Sequence, residues 1–366
     1  MKKIFTGLAL MALSVGVFGQ SSADAVFRKK FIKKVMEDAS AWQLQHPKHD
    51  AKDWTNGAFY AGLVAAWKTT KSKSIFNALM TMGDTGSWRP YKRWYHADDI
   101  TVCQTYIDLY ERKKDKAMIQ PTIDTINKLL ANPYPTKGRL EVIKWWWCDA
   151  LFMAPPVLVK LAQVTGNKAY LDSNDVYFKQ AYDLLYNNDE HLFARDLNYV
   201  IKPDGSGRKE ANGQKVFWSR GNGWVMGGIV RILNALPKDH ATRPFYENLL
   251  KEMAARVSSL QQTDGLWRAS LLDPASYPGG EVSGSGFFCY AITWGINNNL
   301  LDKKQYQPVV EKAWRALANC VNQEGRVGWV QPIGASPGKN FSAESWEVYG
   351  TGAFLLSASE IYKLKK

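Results

Sequence analysis

Asp149 stands directly behind Trp145, Trp146, Trp147 and Cys148 and ahead of the apolar run 150–156. Aromatic neighbours desolvate a carboxylate and raise its pKa, whereas a helix N-terminus stabilises the anion and lowers it. If desolvation dominates, Asp149 holds a proton near neutral pH and is a general acid. If not, it is an N-cap, a common use of Asp at a helix start. Spacing alone leaves both readings open.

A second acidic cluster, "YHADD", supplies His96, Asp98 and Asp99. A carboxylate pair is the usual equipment for acid/base work on glycosidic bonds. Adjacent residues lie about 100° apart around a helix, so only one of Asp98 and Asp99 is expected to face a substrate. No HxH or HExxH spacing accompanies His96, and no metal site is expected. In "WSRGNGW", Arg220 and Trp224 fall on one helix face. Arginine suits bidentate capture of a carboxylate and tryptophan suits stacking on a sugar ring. The plain alternative is a core tryptophan beside an arginine paired to a structural acid. "HLFARDLNY" adds His191, Arg195 and Asp196 in a loop. The glycine-rich "SYPGGEVSGSG" lacks the lysine or strand context of a phosphate loop, and no G-x-S-x-G nucleophile elbow is present.

These residues need elements to bring them together. Apolar residues recur at helical spacing through most of the chain, while β-branched alternation is scarce, so the fold class is all-α. Polar and aromatic clusters begin near Asp53, Trp94, Trp145, Phe217, Glu281 and Glu344, each followed by a helix-like stretch rich in small residues. Between them lie more highly charged amphipathic stretches. Small-residue helices pack closely and charged ones suit a solvated face, which describes an (α/α)6 barrel. In such a toroid the six clusters converge on one mouth; an irregular helical bundle is the competing arrangement.

The chain has 366 residues and a formal charge of +13. Residues 1–22, with Lys2 and Lys3 ahead of a short apolar stretch, read as a signal peptide, and 23–366 as a single catalytic domain. An exported protein, periplasmic or secreted, with no further membrane span is expected. The four cysteines lack CxxC spacing, and buried free thiols are the expectation. The basic excess favours an anionic partner. Basic residues are dispersed and carry no recognition motif, which argues against nucleic acid and leaves acidic carbohydrate or plain solubility.

With "HADD", "WWWCDALFMAPPVL", "WSRGNGW", "EVSGSG" and "YGTGAFLLSASE" in view, the chain resembles glycoside hydrolase family 105, the unsaturated rhamnogalacturonyl hydrolases. The family 88 unsaturated glucuronyl hydrolases are the neighbouring family. The resemblance spans essentially the whole mature chain. It implies removal of a 4,5-unsaturated uronic acid from the non-reducing end of lyase-generated oligosaccharides. A carboxylic acid protonates C4 of the vinyl ether, water adds at C5, and the hemiketal opens. By motif match, Asp149 is the general acid and base and Asp98 the second pocket carboxylate. His96, Asp99, Trp146, Arg195, Arg220 and Trp224 are expected to bind the substrate, an acidic oligosaccharide, and no metal or organic cofactor is implied. One departure stands out: pectin-acting members carry a histidine shortly after an "LF" pair, where this chain has Arg195. An unsaturated glucuronyl substrate is therefore as well supported as a rhamnogalacturonyl one. A sugar epimerase or lyase on the same barrel, and a non-catalytic carbohydrate-binding protein, are the alternatives.

Overall fold

The computed structural model describes residues 25–132 and 140–364, so the expected signal segment 1–22 lies outside the described residues. Among the described residues, helices of two kinds alternate. Six face outward: α1 (Lys29–Gln45), α3 (Lys73–Thr85), α5 (Gln120–Ala131), α7 (Ala169–Leu185), α9 (Arg243–Ser259) and α11 (Lys303–Asn319). Six lie inside: α2 (Trp54–Thr70), α4 (Cys103–Lys113), α6 (Pro155–Thr165), α8 (Ser219–Ala235), α10 (Val282–Asn297) and α12 (Val348–Lys363). Each inner helix packs on the next, and α12 returns to α2, which closes the ring. The expected (α/α)6 barrel is therefore the observed fold.

The two kinds differ in how they bury surface. Helix α10 is buried from Val282 through Ile296 and α8 along nearly its whole length, as helices apolar on every side must be. Helix α11 instead buries one stripe, Tyr306, Val310, Ala313, Trp314 and Leu317. Close packing of the inner ring depends on glycine where α12 returns to α2. A Cβ on Gly62 would sit 2.4 Å from the Gly352 carbonyl oxygen, and one on Gly352 would sit 2.5 Å from that of Ala58.

Two inner units are split, and both carry an acidic residue of interest. A helical turn Ala97–Ile100 precedes α4, and a turn Ala150–Met153 precedes α6. The second break follows from Pro155 and Pro156, which have no N–H to continue the ladder and are tolerated in a helix's first turn. Gln104 of α4 compensates, its Nε2 donating to the carbonyls of Phe152 at 2.7 Å and Met153 at 3.2 Å. The two turns pack on one another. The sequence reading contained no strand. A minimal hairpin, β1 (Tyr186–Asn187) with β2 (Leu192–Phe193), pairs Tyr186 with Phe193 just ahead of Arg195. Of the four free thiols, Cys103, Cys148 and Cys289 are buried and Cys320 is partly buried.

Candidate active site

Because all six inner helices run the same way, their N-terminal clusters meet at one end. Asp149 immediately precedes the turn Ala150–Met153 yet makes no capping hydrogen bond. Its Oδ2 instead faces the Cys148 thiol, which donates across 3.4 Å, and the Arg195 Nε at 3.8 Å. The capping alternative is thereby excluded, and the side chain, 13% exposed, is available at the mouth.

Asp98 occupies the facing turn, 20% exposed. Burial, reinforced by the negative charge of nearby Asp149, pushes its pKa up to about 7. Two neighbouring carboxylates cannot both ionise cheaply, and the proton is held on Asp98. Beside them, burial and the Arg93 cation pull His96 down to about 4. The imidazole is therefore neutral near pH 7, and its Nδ1 accepts from the Asp98 backbone N–H at 3.3 Å. Its 3.5 Å approach to the Asp98 carboxylate is a contact, not an ion pair.

Arg195 completes the group. Burial disfavours its charge, but Asp149 and Asp196 outweigh that and raise its pKa. Nη1 donates to Asp196 at 2.6 Å, the guanidinium lies 5.7 Å from the Trp146 ring centroid, and Nε is buried with no hydrogen-bond partner. An orphaned donor beside a carboxylate pair is suited to an incoming anion. Trp147 stacks obliquely on His96 with centroids 4.8 Å apart, and on Trp146 at 4.9 Å. Together these rings line a small cleft with Arg93 and Tyr95.

Three residues expected at the substrate are placed elsewhere. Trp224 is 0% exposed, enclosed by Phe152, Phe287, Trp54 and Tyr349, so no ring face is left for a sugar. Arg220 is likewise 0% exposed; it donates to the carbonyls of Gln331 at 2.7 Å and Pro332 at 3.0 Å and stacks between Trp218 and Tyr349. Asp99 gives both oxygens to Arg93, from Nη2 and the backbone N–H each at 2.6 Å, bracing the loop before the first turn. The "RGNGW" segment is scaffold here. Its Asn222 exchanges hydrogen bonds with the Phe193 backbone, 2.8 Å from the N–H and 3.1 Å to the carbonyl, and so positions the strand that leads to Arg195. Sequence reasoning missed Asn222, Gln104, Arg93 and the Cys148 thiol. Only Gln104 had a signal: consecutive prolines leave a carbonyl that some side chain must satisfy.

No group of three or more His, Cys, Asp or Glu side chains that could hold a metal occurs among the described residues. Nor is any described helix long and apolar enough to cross a membrane.

A six-hairpin toroid with two carboxylates at its mouth is the equipment of a glycoside hydrolase, and the comparisons agree. The model of Glycosyl Hydrolase Family 88 matches residues 27–365, and the chain belongs to that family. The expected resemblance to families 105 and 88 is thereby shown. A relative from Formosa agariphila, the unsaturated 3S-rhamnoglycuronyl hydrolase, is 44% identical over 100% of this chain and 98% of its own. A solved structure of a family 88 glycosyl hydrolase from Bacteroides vulgatus is 30% identical, with a TM-score of 0.84 over 92% of this chain and 99% of its own. Another, described as a polysaccharide lyase, is 32% identical, with a TM-score of 0.84 over 91% of this chain and 97% of its own.

Proposed function

We propose that this enzyme removes a terminal 4,5-unsaturated glucuronyl residue linked to a 3-sulfated rhamnose in lyase-generated oligosaccharides, by hydration of the vinyl ether at the Asp98–Asp149 pair. The observation that carries the chemistry is the pair itself: one carboxyl held protonated to about pH 7, the other beside a fixed cation. The choice of sugar rests on the activity in the name of the Formosa agariphila relative and on Arg195 at the position where pectin-acting members have histidine.

In the free enzyme the shared proton resides on Asp98, and Arg195 steadies Asp149 as the anion. A bound uronate carboxylate engages the vacant Arg195 Nε and draws positive charge away from Asp149. The proton then passes from Asp98 to Asp149, and Asp149 delivers it to C4. As water attacks C5, Asp149 takes one of the water's protons. The C5 hemiketal then opens and the neighbouring sugar departs. Trp146 and Trp147 exclude bulk water, so these charges act at low effective dielectric.

The structural neighbour described as a polysaccharide lyase favours a second reading, in which the enzyme creates the unsaturated ring rather than consuming it. A screen that follows the ultraviolet absorbance of the unsaturated ring separates the two. Falling absorbance on lyase digests of sulfated rhamnose-glucuronate polysaccharide, with pectin digests slower, is expected; rising absorbance on the intact polysaccharide would establish the lyase. We also propose that residues 1–22 direct export. Amino-terminal sequencing of protein from the producing cells should begin near residue 23, and a start at Met1 would contradict it.

A further inference from the structure

At the end of the barrel opposite the carboxylate pair, the inner helices finish around a cavity of about 580 Å³ to which all six contribute. Its charge is unbalanced: six cationic side chains line it against three carboxylates. At its floor three cations converge on one anion. Lys68 Nζ lies 2.7 Å and Lys160 Nζ 3.0 Å from Asp108 Oδ1, and Arg231 Nη2 lies 3.6 Å from Oδ2. Glu360 is already engaged by Lys363 at 2.6 Å and by Asn297 at 2.9 Å, which leaves Glu111 as the remaining carboxylate.

Helix polarity does not account for this excess. Lysines in the last turn of a helix complement its negative end, and Lys68 and Lys363 do so. Lys160 and Arg231 lie deeper, outside the last turns of α6 and α8, and are 12% and 8% exposed. Burial pulls the Lys160 pKa below its ordinary value, with Arg231 and Lys68 adding to the effect against Asp108 and Glu111. Arg231 Nε is committed to Gln104 Oε1, but Nη2, buried at the cavity wall, makes no hydrogen bond. Six cations around three carboxylates, Arg231 and Lys160 at the floor and the more exposed lysines toward the rim, with an Arg231 nitrogen that makes no hydrogen bond, are a site for an acceptor of opposite charge.

We propose that this cavity binds a tetrahedral oxyanion, sulfate or phosphate, free or esterified to a small sugar, at Arg231, Lys160 and Lys68. A doubly charged tetrahedral group answers the excess better than a single carboxylate, and its oxygens suit the Arg231 guanidinium. The volume, within the ordinary range of small-ligand pockets, accommodates a sugar ester as well as the bare ion. The catalytic pair lies at the other end of the inner helices, on the far side of Gln104 and the turn that it braces. Occupancy should stabilise the barrel without competing with substrate.

Calorimetric titration and thermal unfolding of the full chain with sodium sulfate, sodium phosphate and a sulfated monosaccharide, against chloride at matched ionic strength, test the proposal. One saturable site and a raised Tm are expected, with substrate KM unchanged. Tighter binding of the sugar ester than of inorganic sulfate would identify the ester as the ligand, and equal binding the free anion. Lys160→Met, which leaves Asp108 paired with Lys68 and Arg231, should weaken binding about tenfold. Lys71→Asn, at an exposed left-handed position at the rim, should fold normally and weaken it a few-fold. No response beyond that to chloride, unchanged affinity in both variants, or competition with substrate would each overturn the assignment.

Discussion

The Cys148 backbone N–H donates to the Arg195 carbonyl across 2.8 Å, and this bond locks the segment bearing Asp149 to the segment bearing its cation. The Cys148 thiol then points back to Asp149, and the Arg195 guanidinium approaches it from the other side. Acid and cation are set by one backbone contact between residues 47 apart in the chain.

Arg195 is placed to receive the uronate, so its removal should be felt mainly in binding. Arg195→Gln should raise KM about 10–100-fold, the range for one charge-assisted hydrogen bond. Arg195→Lys should restore little, because a point charge cannot reproduce the oriented Nε and Nη donors. Steady-state kinetics on the unsaturated oligosaccharide decide it; unchanged KM in both variants would remove Arg195 from the site.

The proton on Asp98 sets two pH dependences. Activity should fall as pH rises through about 7, where the pair loses its last proton. Stability carries the same sign. The folded-state pKa is raised, so between the ordinary carboxylate range and about pH 7 the folded chain binds more proton than the unfolded one, and stability declines as pH rises through that window. The loss is on the order of 4 kcal/mol. Asp98→Asn should unfold with this decline absent, which urea titrations at about pH 5 and pH 8 would show.

Gln104 satisfies the Phe152 carbonyl that Pro156 cannot, and accepts from Arg231 Nε. Gln104→Ala therefore takes this partner from the Phe152 and Met153 carbonyls and from Arg231 Nε. A loss of roughly 2–5 kcal/mol, together with a lower kcat from the loosened turn under Asp149, is expected. Wild-type kcat in a folded variant would show that the turn needs no such support.

The two tryptophan positions should separate cleanly. Trp224→Ala opens a core cavity and should cost about 3–5 kcal/mol with KM unchanged in whatever remains folded. Trp146→Ala, at the wall beneath Arg195, should raise KM with a modest loss of stability. The reverse pattern would return Trp224 to the substrate.

The architecture was legible because each inner unit repeats one pattern, a polar cluster followed by small residues, and six repeats close a ring whatever their individual loops do. Asp98 and Asp149 were legible for the same reason, since each lies near the start of a unit, whereas Arg195 stands in a loop between units and was marked by its motif alone. Asp99, Arg220 and Trp224 share that position but are turned into the scaffold, and helix phase is what separates the two sets. Around Asp98 and Asp149 the phase is set by the breaks at Thr101 and Pro155, where the short turns give way to α4 and α6; Arg220 and Trp224 lie on the unbroken α8, and their burial follows from the helices packed around it. Gln104 and Asn222 act through partners 48 and 29 residues away, a distance over which local pattern carries no information. The cavity at the far end escaped notice because its lysines and arginine are dispersed, one or two per helix, and become a cluster only when the ring closes.

Asp149→Asn tests the central claim most directly. The substitution keeps the shape of the side chain and removes its proton chemistry, so a folded variant should bind the unsaturated oligosaccharide with near wild-type affinity. Its rate of absorbance loss should fall by about 10²–10⁴-fold. Turnover within a few-fold of wild type in the folded variant would contradict the account.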